Sequence, residues 1–425
     1  MAALTLIALP VVLLCLGVPI FVALIAAAAI GIVAMGIGSM DPVHVALFGG
    51  LDNFPLLAVP LFIFAGEVMG RGGIARRLVE WALSIIGGVR GSLALATVAS
   101  CELFGSMSGS SVGCVAAIGR LMVPELTRRG YSSVFSGSLI ASCGAIATII
   151  PPSITMIIFG IAAQQSVPKL FLAGIVPGLL IGALVAIYLL IYARVEMIPL
   201  GDPLRWHNIL TSTREAIWAL FAPVVILGGI YGGIFTPTEA AGIACIYAIV
   251  VARYLHREMS WADLWQTAVE SAKVISQILV IVSAAGAYSW LITTSGFPAK
   301  LVQVMADLRM ETWLLLLITN IVLLFVGTVL EPPAAILILT PLLMPLIMQA
   351  GVDEIHFGII FTVNLAVGMF IPPFGLNLFA THALFRIPLG QLYRGILPFI
   401  AIYLIALALI TYVPAITLAP LKLWR

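Results

Sequence analysis

The sequence predicts an all-α polytopic membrane protein built from inverted-topology repeats. Three observations carry this reading: the composition, an internal repeat at one fixed shift, and proline breaks inside apolar runs. Of the 425 residues, 62% are apolar and 9% charged, against about 25% charged in a soluble domain. The mean hydropathy is +1.19. With 20 basic and 18 acidic residues the chain has too little charge to cover a soluble core. A soluble enzyme, a disordered chain and a disulfide-rich scaffold are excluded. Continuous apolar runs, rather than short alternating ones, exclude an outer-membrane barrel. The net charge of +2 points to no acidic partner and no nucleic acid. Cys15, Cys101, Cys114, Cys143 and Cys245 lie in apolar runs without metal-type spacing and read as small packing residues.

A membrane span needs about 20 apolar residues. Residues 3–38 carry no charge and predict one tilted span or two short ones broken near Pro19. No basic stretch precedes them, so no cleaved signal peptide is expected. Further apolar runs fall near 54–69, 92–122, 134–163, 170–193, 216–234, 238–252, 269–293, 312–348, 356–384 and 394–418. The joints between them are short, and the longest, 194–215, carries Arg194, Arg205 and Arg214. No nucleotide-binding loop is present, so ATP-driven transport would need a separate subunit. Four interruptions stand out: FGSMSGSSVG at 104–113, IPPS at 150–153, EPP at 331–333 and IPPF at 371–374. A double proline removes backbone hydrogen bonds and leaves carbonyls without partners. At membrane depth such backbone survives only where it is buried in protein or lines a wet cavity.

These interruptions repeat. Under a shift of 221 residues, segment 104–177 falls on 325–398: Pro124, Pro151, Pro152 and Pro177 meet Pro345, Pro372, Pro373 and Pro398. Gly130 and Gly174 meet Gly351 and Gly395. Four coincident prolines compare with roughly 0.5 expected by chance from the proline content of the two windows. The chain therefore reads as a single membrane domain, 1–425, made of two repeats, 1–212 and 213–425. The loop after the first hairpin carries Arg128 and Arg129, whereas the matching loop, MQAGVDEIH, is acidic. Because Lys and Arg mark cytoplasmic loops, the two loops are expected on opposite faces, as in secondary transporters with inverted repeats.

Each copy is expected to hold a re-entrant hairpin, with tips at 105–111 and near 327–333, and a discontinuous helix broken at 147–153 and 368–374. Pairing tip with break gives two pockets rich in carbonyl and hydroxyl oxygens, suited to a small hard cation such as Na⁺. Helix N-termini after the breaks turn positive dipole ends toward an anion. The residues alone thus suggest a cation-coupled carrier of an anionic solute.

Five stretches carry a family resemblance: PLFIFAGEVMGRGGIARRLVEWA at 60–82, SGSSVG at 108–113, IIPPSI at 149–154, GGIFTPTEAAG at 232–242 and NLAVGMFIPPFGLNLF at 364–379. Together they resemble the large, DctM-type membrane subunit of the tripartite ATP-independent periplasmic (TRAP) transporters, over essentially the whole chain. The resemblance implies an elevator-type transporter of the ion-transporter superfamily in the bacterial inner membrane, bathed in membrane lipid. It implies Na⁺ as coupling ion at two or more sites, and a carboxylate or sialic acid as solute. It also implies a small four-helix membrane subunit and a soluble periplasmic substrate-binding protein. No four-helix segment precedes Leu4, so the small subunit is expected as a separate chain. By motif, the first Na⁺ site falls on Ser108, Ser111 and the backbone of Ala147, Ile150 and Pro152. The family often has glycine where this chain has Ala147. The second falls on Gly327, Gly368 and Ile371 with Thr328, and Gly368 is expected at a turn that needs glycine's freedom. Substrate contacts are expected from Ser110, Ser153, Thr155 and Asn377.

Other polar groups have structural readings. Glu239, after TPT at 236–238, reads as a helix-capping acid. Glu67 is placed to pair with Arg71 one helical turn on. Residues 74–88, with Arg76, Arg77 and Glu80 along one side, read as an amphipathic arm at the cytoplasmic interface. Glu331 beside the second tip is a cation's counter-charge, a salt-bridge partner or a cap, His382 reads as structural, and Glu102 has no evident partner. Three alternatives compete: a binary Na⁺ or H⁺ dicarboxylate symporter without a binding protein, an intramembrane protease, and a channel. The protease lacks a placed Ser–His pair or two mid-membrane Asp, and two broken-helix pockets fit occluded binding better than a pore.

Overall fold

In the computed structural model residues 2–36 and 41–424 are described, and the end of the first apolar run, 37–38, lies outside them. The described residues form helices and turns with one isolated bridge, Arg90 to Leu200, in place of any strand. Seven helices are long and apolar enough to cross a membrane. The first run resolves into two helices, Ala2–Cys15 and Ile20–Ala34, parted at Pro19. The second of them packs Leu24 and Ala27 on Ala284, Ala285 and Tyr288 of the long helix Trp261–Thr294.

A wall is formed where Ala58–Arg71 packs on Pro237–Val250 and on Trp261–Thr294. Against it stands the repeated core. In copy one, hairpin arms Ser92–Ser108 and Ser111–Arg128 are followed by half-helices Ser133–Ile146 and Ile154–Ala162 and by the span Val167–Val195. In copy two, arms Thr312–Val329 and Pro332–Gln349 are followed by Glu354–Gly368 and Leu376–Phe385. The second arms begin and end at positions related by the same 221 residues. Each is closed by a left-handed glycine, Gly130 or Gly351, which lets the chain reverse where a side chain would be strained.

The copies run in opposite directions. The end of copy one's broken helix meets the start of copy two's, where Gln165 donates a hydrogen bond to Glu354. The start of copy one's broken helix meets the end of copy two's: Gly137 lies against Ile387 and Leu392, and Gly395 against Ser138. Arg386 and Arg394 thereby join Arg128 and Arg129 at one end of the molecule, the cytoplasmic end by the distribution of basic residues.

The hairpin tips are tighter than the sequence predicts. The serine- and glycine-rich stretch stays helical through Ser108, and only Gly109 and Ser110 turn. Gly109, at φ +58°, ends the first arm with its N–H donating to the Gly105 carbonyl at 3.0 Å, and Ser110 caps the second. The small residues serve close approach rather than unwinding. A Cβ on Gly105 would lie 2.6 Å from Ala147 Cα, and one on Gly66 of the wall 2.8 Å from Ser108 Cβ. Along Val167–Val195, Gly174, Gly178 and Gly182 receive Met156, Ile150 and the carboxylate of Glu102, a small-residue seam of the kind that lets membrane helices approach.

The expectations on Glu239, Glu67, the amphipathic arm and His382 hold, and the capping reading of Glu331 does not. Thr236 and Glu239 form a reciprocal capping box, Glu67 lies 3.4 Å from Arg71, and Ile74–Ile86 is an amphipathic arm burying Ile74, Ala75, Leu78, Val79 and Ala82. His382 Nδ1 bonds the Ile387 carbonyl at 2.8 Å. Glu331 occupies the position before Pro332–Gln349 without a side-chain capping bond.

Candidate functional site

The first tip seats directly on the first break. A Cβ on Gly109 would stand 2.5 Å from the Pro152 carbonyl oxygen, so only glycine allows this contact. Ala147, Ile150 and Pro152 are all buried. Ser108 is 2% exposed, and its Oγ has no hydrogen-bond partner among the described residues. A buried hydroxyl without a partner costs on the order of 1–3 kcal/mol; Ser100, Ser138 and Thr381 are others of this kind among the described residues, but Ser108 is the one at the tip-to-break contact.

Its neighbours are engaged. Ser110 Oγ accepts the Gly113 N–H at 3.2 Å as the helix cap. Ser153 donates to the Thr148 carbonyl and accepts from the Met156 N–H at 3.3 Å. Thr155 is buried beside it. Ser111 Oγ donates to Asn377 Oδ1 at 2.9 Å and accepts from Asn377 Nδ2 at 2.8 Å, and the same Nδ2 donates to the Ala141 carbonyl at 2.8 Å. Asn377 is fully buried. The structure thus places Asn377 at the seam between the copies, with both amide atoms committed, rather than on a face open to a solute.

The second tip repeats the geometry with less cover. A Cβ on Gly368 would lie 2.6 Å from the Gly327 carbonyl oxygen. Gly368 ends the helix Glu354–Gly368 and is not among the left-handed glycines. The expectation that it supplies turn freedom is therefore corrected: it supplies room for Gly327. Thr328 donates its hydroxyl to Phe325 on its own helix at 2.7 Å, and Ile371 is half-buried. The first break is buried throughout, whereas at the second Pro373 and Phe374 are exposed.

Between the wall and the first hairpin lies a cavity of about 550 Å³. Its floor carries Ser108 and Ser110, one side Gly113, Ala116, Ala117 and Arg120, and its mouth Glu67, Arg71, Arg76 and Glu258. Arg71 bridges Glu67 and, at 2.5 Å, Glu270, while Arg76 and Arg77 hold Glu258 at 2.7 and 2.6 Å. Burial alone would raise the Glu258 carboxyl pKa, but the hydrogen bonds from Arg77 and Arg76 outweigh it and hold the group below its ordinary range. Sequence reading missed Arg120. Its signal was present: an arginine inside the apolar run 92–122, one helical face away from a serine tip.

Two tip-to-break contacts, each from one of two inverted copies, with a charged cavity beside one of them, are the architecture of a secondary-transport protein. The fold agrees with solved transporters. The chain resembles the Alcanivorax borkumensis YdaH transporter with a TM-score of 0.60 at 15% identity, over 87% of each chain. It resembles Neisseria gonorrhoeae MtrF at 0.57 and 14%, over 88% of this chain and 84% of that one. Residues 7–416 match the family model described as "Tripartite ATP-independent periplasmic transporter, DctM component". The chain belongs to this family and is a TRAP large permease, a multi-pass inner-membrane protein.

Relatives extend over the same length. The C4-dicarboxylate TRAP transporter large permease protein DctM of Pseudomonas aeruginosa is 40% identical over 381 residues, 90% of this chain and 89% of that protein. The ectoine TRAP transporter large permease protein TeaC of Halomonas elongata is 36% identical over 96% of both. The isethionate TRAP transporter permease protein DctMQ of Oleidesulfovibrio alaskensis is 42% identical over 95% of this chain but only 64% of its own length. Family membership makes the protein one part of a system with a small membrane subunit and a periplasmic binding protein.

Proposed function

We propose that this permease drives Na⁺-coupled uptake of an organic acid anion, of carboxylate or sialic-acid type, handed to it by the periplasmic binding protein. The repeats 1–212 and 213–425 each contribute one Na⁺ site, at Ser108, Ser111, Ala147, Ile150 and Pro152 and at Gly327, Thr328, Gly368 and Ile371. The hairpins and broken helices carry the solute past the wall in an elevator movement, with the small four-helix subunit beside them. Ser110, Ser153 and Thr155 are the substrate-side candidates; Asn377 acts behind them. The relatives' names include a C4-dicarboxylate and isethionate, solutes with an acidic group, and ectoine, and these support the choice of solute class.

The observation that supports the reading best is the Ser108 hydroxyl, buried and unpaired where the first tip meets the first break. A cation there would gain one hydroxyl ligand plus carbonyls freed by the double proline. The test is Na⁺-dependent uptake into proteoliposomes holding the permease, its small subunit and the binding protein. Ser108→Ala removes one ligand of several, about 1–2 kcal/mol, and raises half-saturating Na⁺ roughly five- to thirtyfold with transport retained. Because the hydroxyl bonds nothing in the protein, removing it relieves the cost of a buried unpaired group, and the variant melts at or above the wild type without Na⁺. Uptake that runs on a proton gradient without Na⁺ counts against the coupling ion.

A further inference from the structure

We propose that Arg120 is an anion station on the cytoplasmic exit: the transported acid, on leaving the first hairpin tip, is held next by this guanidinium. The inference rests on the reading that the protein carries organic anions.

Five ionisable residues line the cavity: Glu67, Arg71, Arg76, Arg120 and Glu258. Four of them are matched. Arg71 has Glu67 and Glu270, and Arg76 has Glu258 and Glu80. No carboxylate among the described residues forms an ion pair with Arg120. Its charge is the uncompensated one among the five, and the side chain is exposed where the cavity opens, so it adds a net positive field to the opening that an anion meets. A guanidinium also matches a carboxylate or sulfonate with paired N–H donors.

The helix face between tip and arginine is built for passage. Gly113, Ala116 and Ala117 precede Arg120 by seven, four and three residues and share its side of Ser111–Arg128. None carries an atom beyond Cβ, so the helix leaves the track from Ser110 to the guanidinium open, and the carboxylate beside Gly113, Glu67, is neutralised by Arg71. From Ser111 to Arg120 the helix rises about 13 Å at 1.5 Å per residue. The arginine side chain leans back toward the helix N-terminus and shortens that span, so a solute leaving the tip meets the guanidinium before it reaches the cytoplasmic end. Removing Arg120 should then alter release and rebinding from the cytoplasmic side and leave Na⁺ dependence of uptake unchanged. The competing account is that Arg120 only carries its charge out to the membrane interface, as long basic side chains do.

Two measurements separate these. Ala116→Cys, in a background with the native cysteines replaced by alanine, reports the local potential through its rates of reaction with an anionic and a cationic methanethiosulfonate reagent. With Arg120 present the anionic reagent is favoured. Arg120→Gln lowers the anion-to-cation rate ratio about tenfold, and Arg120→Lys retains it. In proteoliposomes of the full tripartite system, exchange of succinate, isethionate or ectoine is measured against solute on the cytoplasmic side. Arg120→Gln raises the half-saturating concentration there roughly tenfold, Arg120→Lys restores most of it, and the Na⁺ dependence of uptake is that of wild type. An unchanged rate ratio overturns the inference, because the charge then lies elsewhere. A lowered ratio with unchanged exchange overturns it as well, because the charge then plays no part in release. A wild-type system whose transported solute, delivered by its own binding protein, carries no acidic group removes the functional reading and the station with it.

Discussion

Gly368 and Gly327 face each other at the second tip, yet the structure assigns them very different tolerance. A Cβ at Gly368 points into the backbone of Gly327, 2.6 Å from its carbonyl oxygen and 2.7 Å from its Cα. Ordinary contact begins near 3.4 Å, so hairpin and broken helix must part by close to an ångström. The obstacle is backbone, which has no rotamer to yield with. Overpacking of this kind costs about 1–3 kcal/mol, more than the helix-propensity gain of about 1 kcal/mol that alanine brings over glycine. A Cβ at Gly327 instead meets Leu365 Cα and Cδ2 at 3.3 Å and Gly368 Cα at 3.4 Å. A few tenths of an ångström relieve that, and the propensity gain offsets it. Gly368→Ala should therefore lower the melting temperature of the purified protein and weaken Na⁺ about ten- to a hundredfold, while Gly327→Ala stays near wild type in both. Thermal unfolding with and without Na⁺, followed by uptake against Na⁺ concentration, reads the difference. If the two variants behave alike, close approach is not what Gly368 provides.

Three further outcomes are expected. Arg128→Cys and Gln349→Cys stand at equivalent ends of the two second arms, and in a background without native cysteines an impermeant thiol reagent should label them from opposite faces; labelling from one face rejects the inversion. Thr236→Ala removes one half of the capping box before Pro237–Val250 and should cost about 1 kcal/mol of stability, read by thermal unfolding, with Na⁺ dependence unmoved. The Glu258 carboxyl is held below its ordinary pKa in the folded protein, so its ties to Arg76 and Arg77 contribute fully above the unfolded value of about 4.3 and are lost as pH falls through the lower folded value. Glu258→Gln should then destabilise at neutral pH and flatten the acid limb of the melting-temperature profile; an unaltered profile would show that the three residues contribute nothing measurable.

The repeat and its breaks were legible because proline and glycine state backbone constraints directly: the aligned Pro151–Pro152 and Pro372–Pro373 fell on matching breaks, and Gly130 and Gly351 on matching reversals. Helix extent at the first tip was less legible, since Gly105, Ser106 and Ser108 look like loop residues when the helix that crowds them, through Ala147, is far along the chain. Ser111 and Asn377 are separated by 266 residues, and no local pattern pairs a hairpin serine with an asparagine of the other copy. Arg120 was overlooked for a related reason. Alone in an apolar run it reads as a membrane charge in need of a partner, and only the wall from Ala58–Arg71 and Trp261–Thr294 turns the space before it into a cavity.

The pairing of Ser111 with Asn377, and of Asn377 with the Ala141 carbonyl, fastens the hairpin of one copy, the broken helix of the same copy and the broken helix of the other at a single point. Three elements pinned by one amide cannot be displaced separately without stranding a buried donor and acceptor. An ion settling at either break therefore stiffens a shared block, and what it contributes there is felt at the other break without any conducting chain of residues between them. Thermodynamic reciprocity then follows from carpentry: two occupants of one rigid piece share the cost of holding it still.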